Sequence, residues 1–269
     1  SALIHLHIGE GLHNILYALD QKFGKTNLLD KAYTNFQRVE TLIIESTYGG
    51  YQDFMPPRPE AEEQLMEIIR RTMERGGICL IPSFAVERAQ EVMVILLKNN
   101  FEYPVFLDGM IWDATCIHSA YPEYLSQEMQ RLILNNQNPF KKDIFKHVAS
   151  ARDRERVFDQ RPAVIISTSG SLVGGPAMEY LKNLCEDPRN SLVFVGYQFE
   201  GTLGRRIQKG WKEVPVKGEN GKTLTLPLNM EVYTVEGLSG HSDINQLLAF
   251  IRKVRNCLLY TSPSPRDRG

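Results

Sequence analysis

Short apolar segments of strand length alternate with segments of helical period along most of this chain, and that alternation restricts its fold more than any other feature. Residues 78–81, 105–107, 163–166 and 191–195 are apolar runs, and strands apolar on both faces belong to parallel sheets with helices packed on each side. Between them, residues 62–75 place Leu65, Ile68, Ile69 and Met73 on one helical face, after Pro59 and before Gly76-Gly77. Residues 87–98 and 177–185 read as further helices, 41–44 and 232–235 as further buried strands, and 243–255 as an amphipathic helix. The fold class is α/β with a mainly parallel sheet, in which ligands collect beyond the carboxyl ends of the strands.

The chain has 269 residues, which at about 150 residues per domain allows one large or two ordinary domains. Its 31 Lys+Arg against 32 Asp+Glu leave a net charge of -1, so a strongly basic domain is excluded and any groove that tracks phosphates is local. The densest basic cluster is Arg205, Arg206, Lys209 and Lys212 beside Trp211, which suits either nucleic-acid backbone binding or a solvated helix face. No run of about 18 apolar residues appears and the start lacks signal-peptide regions, so the chain reads as cytoplasmic with no membrane partner. Four cysteines (Cys79, Cys116, Cys185 and Cys257) stand far apart without a Cys-x-x-Cys pair and read as buried or incidental thiols. The chain opens directly on a strand, and residues 258–269 are Ser/Pro/Arg-rich without helical or strand period. It is therefore expected to be an internal fragment with a non-native tail over 258–269.

The candidate chemistry lies in the loops after strands. Pro82-Ser83-Phe84-Ala85 follows one strand, Ser167-Thr168-Ser169-Gly170 a second and Gly196-Tyr197-Gln198 a third. Ser169-Gly170-Ser171 and Gly174-Gly175-Pro176 stand just before a helix, where backbone N–H groups can hold a phosphate. Such turns also arise for purely geometric reasons. Residues 41–44 deliver Glu45 to a sheet edge, and a carboxylate at a strand end is a site candidate. His241, in Ser239-Gly240-His241-Ser242-Asp243, lies at a strand-to-helix turn, where a lone histidine also serves as a capping or packing residue.

Several stretches, in their order and spacing over nearly the whole chain, resemble the β-CASP branch of the metallo-β-lactamase superfamily. They are Glu45-Ser46-Thr47-Tyr48-Gly49, residues 82–91, Asp108-Gly109-Met110-Ile111-Trp112-Asp113-Ala114, Ser167-Thr168-Ser169-Gly170, residues 196–204 and Ser239-Gly240-His241-Ser242-Asp243. That branch comprises zinc-dependent nucleases, including the cleavage and polyadenylation specificity factor endonuclease and its archaeal relatives. Residues 108–114 with 196–210 are most similar to the archaeal, KH-domain-bearing group. The resemblance implies a partial αββα metallo-β-lactamase fold over 1–50 and 230–257, with a parallel-sheet α/β β-CASP domain inserted over 51–229 and single-stranded RNA running between them. It implies two zinc ions, with Asp20 in the place of the aspartate that bridges both. Glu45 falls on the strand-end acid and His241 on the histidine that acts as general acid; Glu45 would orient that ring and favour its protonated form. Ser83, Ser169, Gly170 and Arg205 fall on the substrate side. A homodimer or subunits of a processing complex are the implied protein partners.

The departures from the family pattern bear on activity. The family's His-x-His-x-Asp-His motif, a further histidine and a last histidine in a His-Gly-Glu context are missing from this sequence. His5-x-His7 with Glu10 and His13 imitates the first motif without its Asp-His pair, and the resemblance implies a plain hairpin there. Leu19 stands where the family has glycine, and Ser171 where it has a larger apolar residue. A catalytic zinc normally takes three protein ligands, so the fragment is expected to be inactive. Its parent is expected to be an endoribonuclease, with possible 5′–3′ exonuclease action, in 3′-end processing, transcription termination or decay. A catalytically inactive RNA-binding scaffold is the second reading, and the presence of both Glu45 and His241 counts against it. A hydrolase of small esters or thioesters would lack the large insert between those residues. If the resemblance holds, Glu45 and His241 meet across 196 positions (241 minus 45), with Asp20 beside them.

Overall fold

The computed structural model describes residues 2–36, 38–217, 223–254 and 258–259; most of the expected non-native tail, residues 260–269, lies outside the described residues. Along the chain, β1 (Ile4–Ile8), β2 (His13–Ala18) and β3 (Thr41–Ile44) precede α1 (Arg58–Glu74), β4 (Ile78–Pro82), α2 (Arg88–Lys98), β5 (Val105–Asp108) and α3 (Ile111–Ala120). Next come α4 (Gln127–Leu134), β6 (Phe145–Val148), α5 (Ala151–Val157), β7 (Ala163–Ser167), α6 (Pro176–Leu184), β8 (Ser191–Phe194) and α7 (Leu203–Gln208). The β9 (Glu213–Lys217) and β10 (Thr223–Pro227) pair is followed by β11 (Glu231–Thr234), α8 (Ile244–Lys253) and β12 (Leu258–Leu259). The chain divides into a smaller unit (residues 1–26, 30–55 and 240–269) and a larger one (27–29 and 56–239).

The larger unit is built on a six-stranded sheet of order β11-β8-β4-β7-β5-β6, parallel throughout. β4 explains the layering. Cys79 and Ile81 pack on one face with Leu65 and Ile69 of α1 and Val92 and Ile95 of α2. Ile78 and Leu80 pack on the other with Tyr180 and Leu181 of α6 and Ile207 of α7. An apolar run with no polar period thus supplies two cores at once. The connection from β4 through α2 to β5 passes β7, whereas the one from β7 through α6 to β8 passes β4 in the opposite direction, on the opposite face. Connections that diverge in this way open a crevice at the carboxyl ends of β4 and β7.

Several local expectations are corrected. α1 begins at Arg58 rather than Glu62, because Pro59 occupies the first turn, where its missing N–H would have had no partner. β11 belongs to the larger unit, although residues 230–257 were expected to return to the smaller one. Glu231–Thr234 pair in parallel with Ser191–Phe194, so the larger sheet claims them, and the units divide at 55/56 and 239/240 instead of 50/51 and 229/230. Leu258-Leu259 of the expected tail pair in parallel with Thr41-Leu42 and so extend a sheet. Residues 27–29 join the larger unit because fully buried Glu91 accepts from the Leu28 N–H at 2.8 Å and pairs with Arg58.

The smaller unit carries a four-stranded sheet of order β1-β2-β3-β12. β1 and β2 form the expected hairpin, with Ile4 opposite Tyr17 and Ile8 opposite His13. One face buries Leu16, Ala18 and Leu42 against Phe250 and Val254, with Phe23 stacked on Phe250 at 4.2 Å. The other face is apolar and bare: Ile4, Leu6 and Ile8 are each about half exposed, and Tyr17 and Ile43 are exposed beside them. The two described buried thiols are inert, since burial pushes Cys185 up to about 11 and Cys79 further still.

One buried polar network anchors the sheet end. Asp108 closes β5 and accepts from Arg154 at 2.7 and 3.1 Å and from the Tyr180 hydroxyl at 2.8 Å. Burial, reinforced by the Asp108 charge, pushes the Tyr180 hydroxyl up from its ordinary pKa, so it remains a neutral donor. Removing one member leaves a buried carboxylate short of partners, so Arg154→Ala is expected to lower stability by about 3–5 kcal/mol in denaturant titration. Tyr180→Phe is expected to lose less, about 1–2 kcal/mol, since only a neutral donor is removed.

Candidate active site

The smaller unit brings three predicted residues together. β2 and β3 run in parallel, with Ala18 paired to Ile44, so the residues just past both carboxyl ends emerge side by side. Glu45 continues from β3 and its N–H still donates to the Ala18 carbonyl at 3.3 Å. Asp20 sits two residues beyond β2 with φ of 49°, a left-handed conformation that Asp tolerates better than most residues. Leu19, where glycine was expected, is not among the positive-φ residues, so the conformation there makes no demand for glycine. His241 stands in the turn before α8, which starts when Asp243 accepts from the Gln246 N–H at 2.9 Å.

The geometry is that of an oriented histidine. His241 Nδ1 lies 2.6 Å from Glu45 Oε2, across the 196 positions that separate them, and 3.8 Å from Asp20 Oδ1. The second Glu45 oxygen, Oε1, accepts from the Gln21 N–H at 2.7 Å. A carboxylate only accepts, so Nδ1 is the donor, and exchange of protons at this ring falls to Nε2. The burial matches these roles. The Glu45 side chain is 4% exposed and that of His241 31%, whereas that of Asp20 is 75% exposed. The Tyr48 ring lies 6.3 Å from the imidazole.

Ser242 fixes the turn. It is fully buried, its hydroxyl donates to the Gln21 carbonyl at 2.9 Å and accepts from the Phe23 N–H at 2.9 Å, and its own N–H reaches the same Gln21 carbonyl at 2.9 Å. Lys22 adds a bond from Nζ to the His241 carbonyl at 2.8 Å. Residues 21–23 are thereby joined to 241–242, which holds His241 against Glu45. Motif spacing drew attention to His241 but gave no sign of the parts played by Ser242 and Gln21, because those bonds exist only in the folded chain.

Among the described residues, Asp20, Glu45 and His241 form one group whose ligand-type atoms lie within 4.8 Å of one another. They do not make the ligand set of a zinc pair. Glu45 spends one oxygen on His241 and the other on the Gln21 N–H, which leaves Asp20 as the exposed carboxylate. His5, His7 and His13 are engaged elsewhere, by the Arg38 carbonyl at 3.1 Å, Asn14 Oδ1 at 2.5 Å and Thr41 Oγ1 at 2.9 Å. Their hairpin is the plain one expected.

The predicted substrate residues all lie in the larger unit. A Cβ on Gly170 would come within 3.1 Å of the Ser83 carbonyl carbon and 3.2 Å of the Phe84 nitrogen, so the loops after β4 and β7 touch where a glycine is needed. The Ser83 side chain, however, is turned inward: the residue is 1% exposed and its Oγ donates to the Phe84 carbonyl at 3.1 Å. Ser169 Oγ accepts from the Val173 N–H at 3.1 Å. Arg205 Nε donates to Glu200 at 2.9 Å and its Nη1 to Gln208 at 2.6 Å. Ser171 is buried, and its hydroxyl has no partner among the described residues, where a larger apolar side chain was expected. Gln198 was not predicted as a site residue. It ties two of these loops together, with Nε2 donating to the carbonyls of Gly170 at 3.0 Å and Gly196 at 3.3 Å.

Comparisons with known proteins give the chain its relatives. The family model described as the Beta-Casp domain matches residues 89–207, and that of the Zn-dependent metallo-hydrolase RNA specificity domain matches residues 225–258. The chain is 54% identical over 261 residues to the transcription termination factor FttA of Methanocaldococcus jannaschii, covering 95% of this chain and 41% of that protein. The namesake from Thermococcus kodakarensis is 51% identical, covering 95% of this chain and 40% of that protein. The one from a Lokiarchaeum species is 44% identical, with 95% and 41% covered. The chain thus spans about two fifths of the length of these curated relatives.

If Ser242 holds the site together, Ser242→Ala strands the partly buried Phe23 N–H. It should cost about 1–3 kcal/mol, read as a lower denaturant midpoint with an unchanged slope.

Proposed function

We propose that this chain, which belongs to the β-CASP branch of the metallo-β-lactamase superfamily, is part of a zinc-dependent endoribonuclease that cleaves single-stranded RNA. The observation that carries this reading is the Glu45–His241 pair at 2.6 Å with Asp20 alongside. In hydrolysis of a phosphodiester, water adds to phosphorus and the P–O bond to the leaving oxygen breaks. His241, held through Nδ1 by Glu45, delivers from Nε2 the proton that this oxygen takes up, and is reprotonated from solvent. A positioned acid of this kind has no task in a scaffold that only binds.

The relatives' name, transcription termination factor, and the RNA specificity domain matched over 225–258 support RNA as the substrate and 3′-end processing, termination or decay as the setting. Ser83, Ser169, Gly170 and Arg205 form the substrate side of this proposal, with Ser83 acting through its backbone. Asp20 is the carboxylate this chain contributes to a zinc pair whose other ligands lie beyond its described residues. The bare face of Ile4, Leu6 and Ile8 is the surface that the second sheet of an αββα sandwich would cover. No helix among the described residues is long and apolar enough to cross a membrane. The proposed setting is the cytoplasm, with a second copy of the chain or processing-complex subunits as protein partners.

The test is cleavage of labelled single-stranded RNA by the parent protein expressed from its complete reading frame. The account expects zinc-dependent cleavage abolished by a chelator and slowed about 10²- to 10⁴-fold by His241→Ala. The 269-residue chain on its own should not cleave. RNA binding by the parent with no cleavage under any metal condition would assign it to the scaffold class instead.

A further inference from the structure

The larger unit exposes aromatic rings at the crevice where its strand connections diverge. Phe84 follows buried β4 and buried Ser83, yet is 45% exposed. Its ring meets the edge of Phe199 at 6.3 Å and 77°, and Phe199 meets Tyr197 at 5.4 Å and 77°. Three rings from the loops after β4 and β8 therefore form a continuous aromatic surface, in which each neighbouring pair keeps the edge-to-face geometry that aromatic pairs favour.

The surroundings keep this surface open and fixed. Gly170 lies against the Phe84 backbone, and a Cβ at Gly196 would sit 3.9 Å from Phe84 Cε2. At Gly170 a Cβ would press on that backbone, whereas at Gly196 it would make only an ordinary contact with the ring. Gln198, between Tyr197 and Phe199 in sequence, is 2% exposed and anchors their loop through its bonds to Gly170 and Gly196. Gly204 makes room for it, since a Cβ there would fall 2.0 Å from Gln198 Oε1. Cations follow at once in sequence. Glu200 pairs with Arg205 and Lys209, whereas Arg206 lies over the Trp211 ring at 5.8 Å and is exposed.

We propose that Phe84, Phe199 and Tyr197 form a stacking platform for an unpaired nucleobase of single-stranded RNA, a role that rests on the RNA reading above. The occupant follows from chemistry. Each ring offers a π-face, which every base can match, and the exposed Arg206 guanidinium, which follows Phe199 in sequence, suits a phosphate. With a net charge of -1 the chain has no bulk positive charge to draw RNA, so stacking adds to what a local basic patch contributes.

The experiment is titration of the 269-residue chain into a labelled single-stranded oligoadenylate, followed by fluorescence anisotropy. Phe84→Ala is expected to weaken binding about 5- to 150-fold, the worth of one stacked base at about 1–3 kcal/mol, with the salt dependence unchanged. Phe84→Trp is expected to keep the affinity and to show indole fluorescence quenched by RNA, over the background of Trp112 and Trp211. Wild-type binding that Phe84→Ala leaves intact would overturn the platform while the RNA reading stands. No RNA binding by the wild-type chain would overturn both. Should Phe84→Ala fail to fold, the Phe84→Trp signal decides, and an unquenched indole in the presence of bound RNA would overturn the platform.

Discussion

Parallel strand pairing is the constraint on which the rest of this structure depends. Parallel neighbours cannot be joined by tight turns, so each connection crosses a face of the sheet and the carboxyl ends of the strands gather on one edge. In the smaller unit that edge holds Asp20 and Glu45, past the parallel ends of β2 and β3. In the larger unit it holds Ser83, Ser169, Gly170 and the aromatic loops, past β4, β7 and β8. Both clusters follow from the same rule applied to two sheets.

Within the smaller unit, the Glu45–His241 contact determines what the cluster can do. An almost fully buried carboxylate is costly unless both oxygens are satisfied, and here Oε2 takes the histidine and Oε1 the Gln21 N–H. The same satisfaction makes Glu45 a poor metal ligand in this arrangement and a good orienting group for His241. Asp20, exposed beside them, has the opposite character. Three acidic or basic side chains in one place thus divide into a histidine held in one orientation, the carboxylate that holds it and an exposed carboxylate.

How much of this the sequence discloses depends on how local the cause is. β4 is readable because residues 78–81 are apolar at every position, and α8 because Leu247 and Phe250 recur at helical spacing. The middle of the chain is harder. α3 buries only Ile111, Ala114 and Thr115, so it has almost no apolar period to read, and β9 carries Pro215 within a strand. The start of α1 was missed because a proline inside a helix normally signals its end, except in the first turn. The meeting of Glu45 and His241 is legible only through motif resemblance, since the two residues share no local signal. Ser242, Gln21 and Gln198 act through bonds between distant segments, and nothing in their sequence neighbourhoods announces those bonds.

The most direct measurement is a double-mutant cycle on RNA cleavage by the full-length parent, comparing Glu45→Ala, His241→Ala and the double variant. If Glu45 acts only by holding His241, the two losses are not additive, and the double variant cleaves no more slowly than His241→Ala alone. Losses that multiply would mean that the two residues act separately, and would contradict the account of the site.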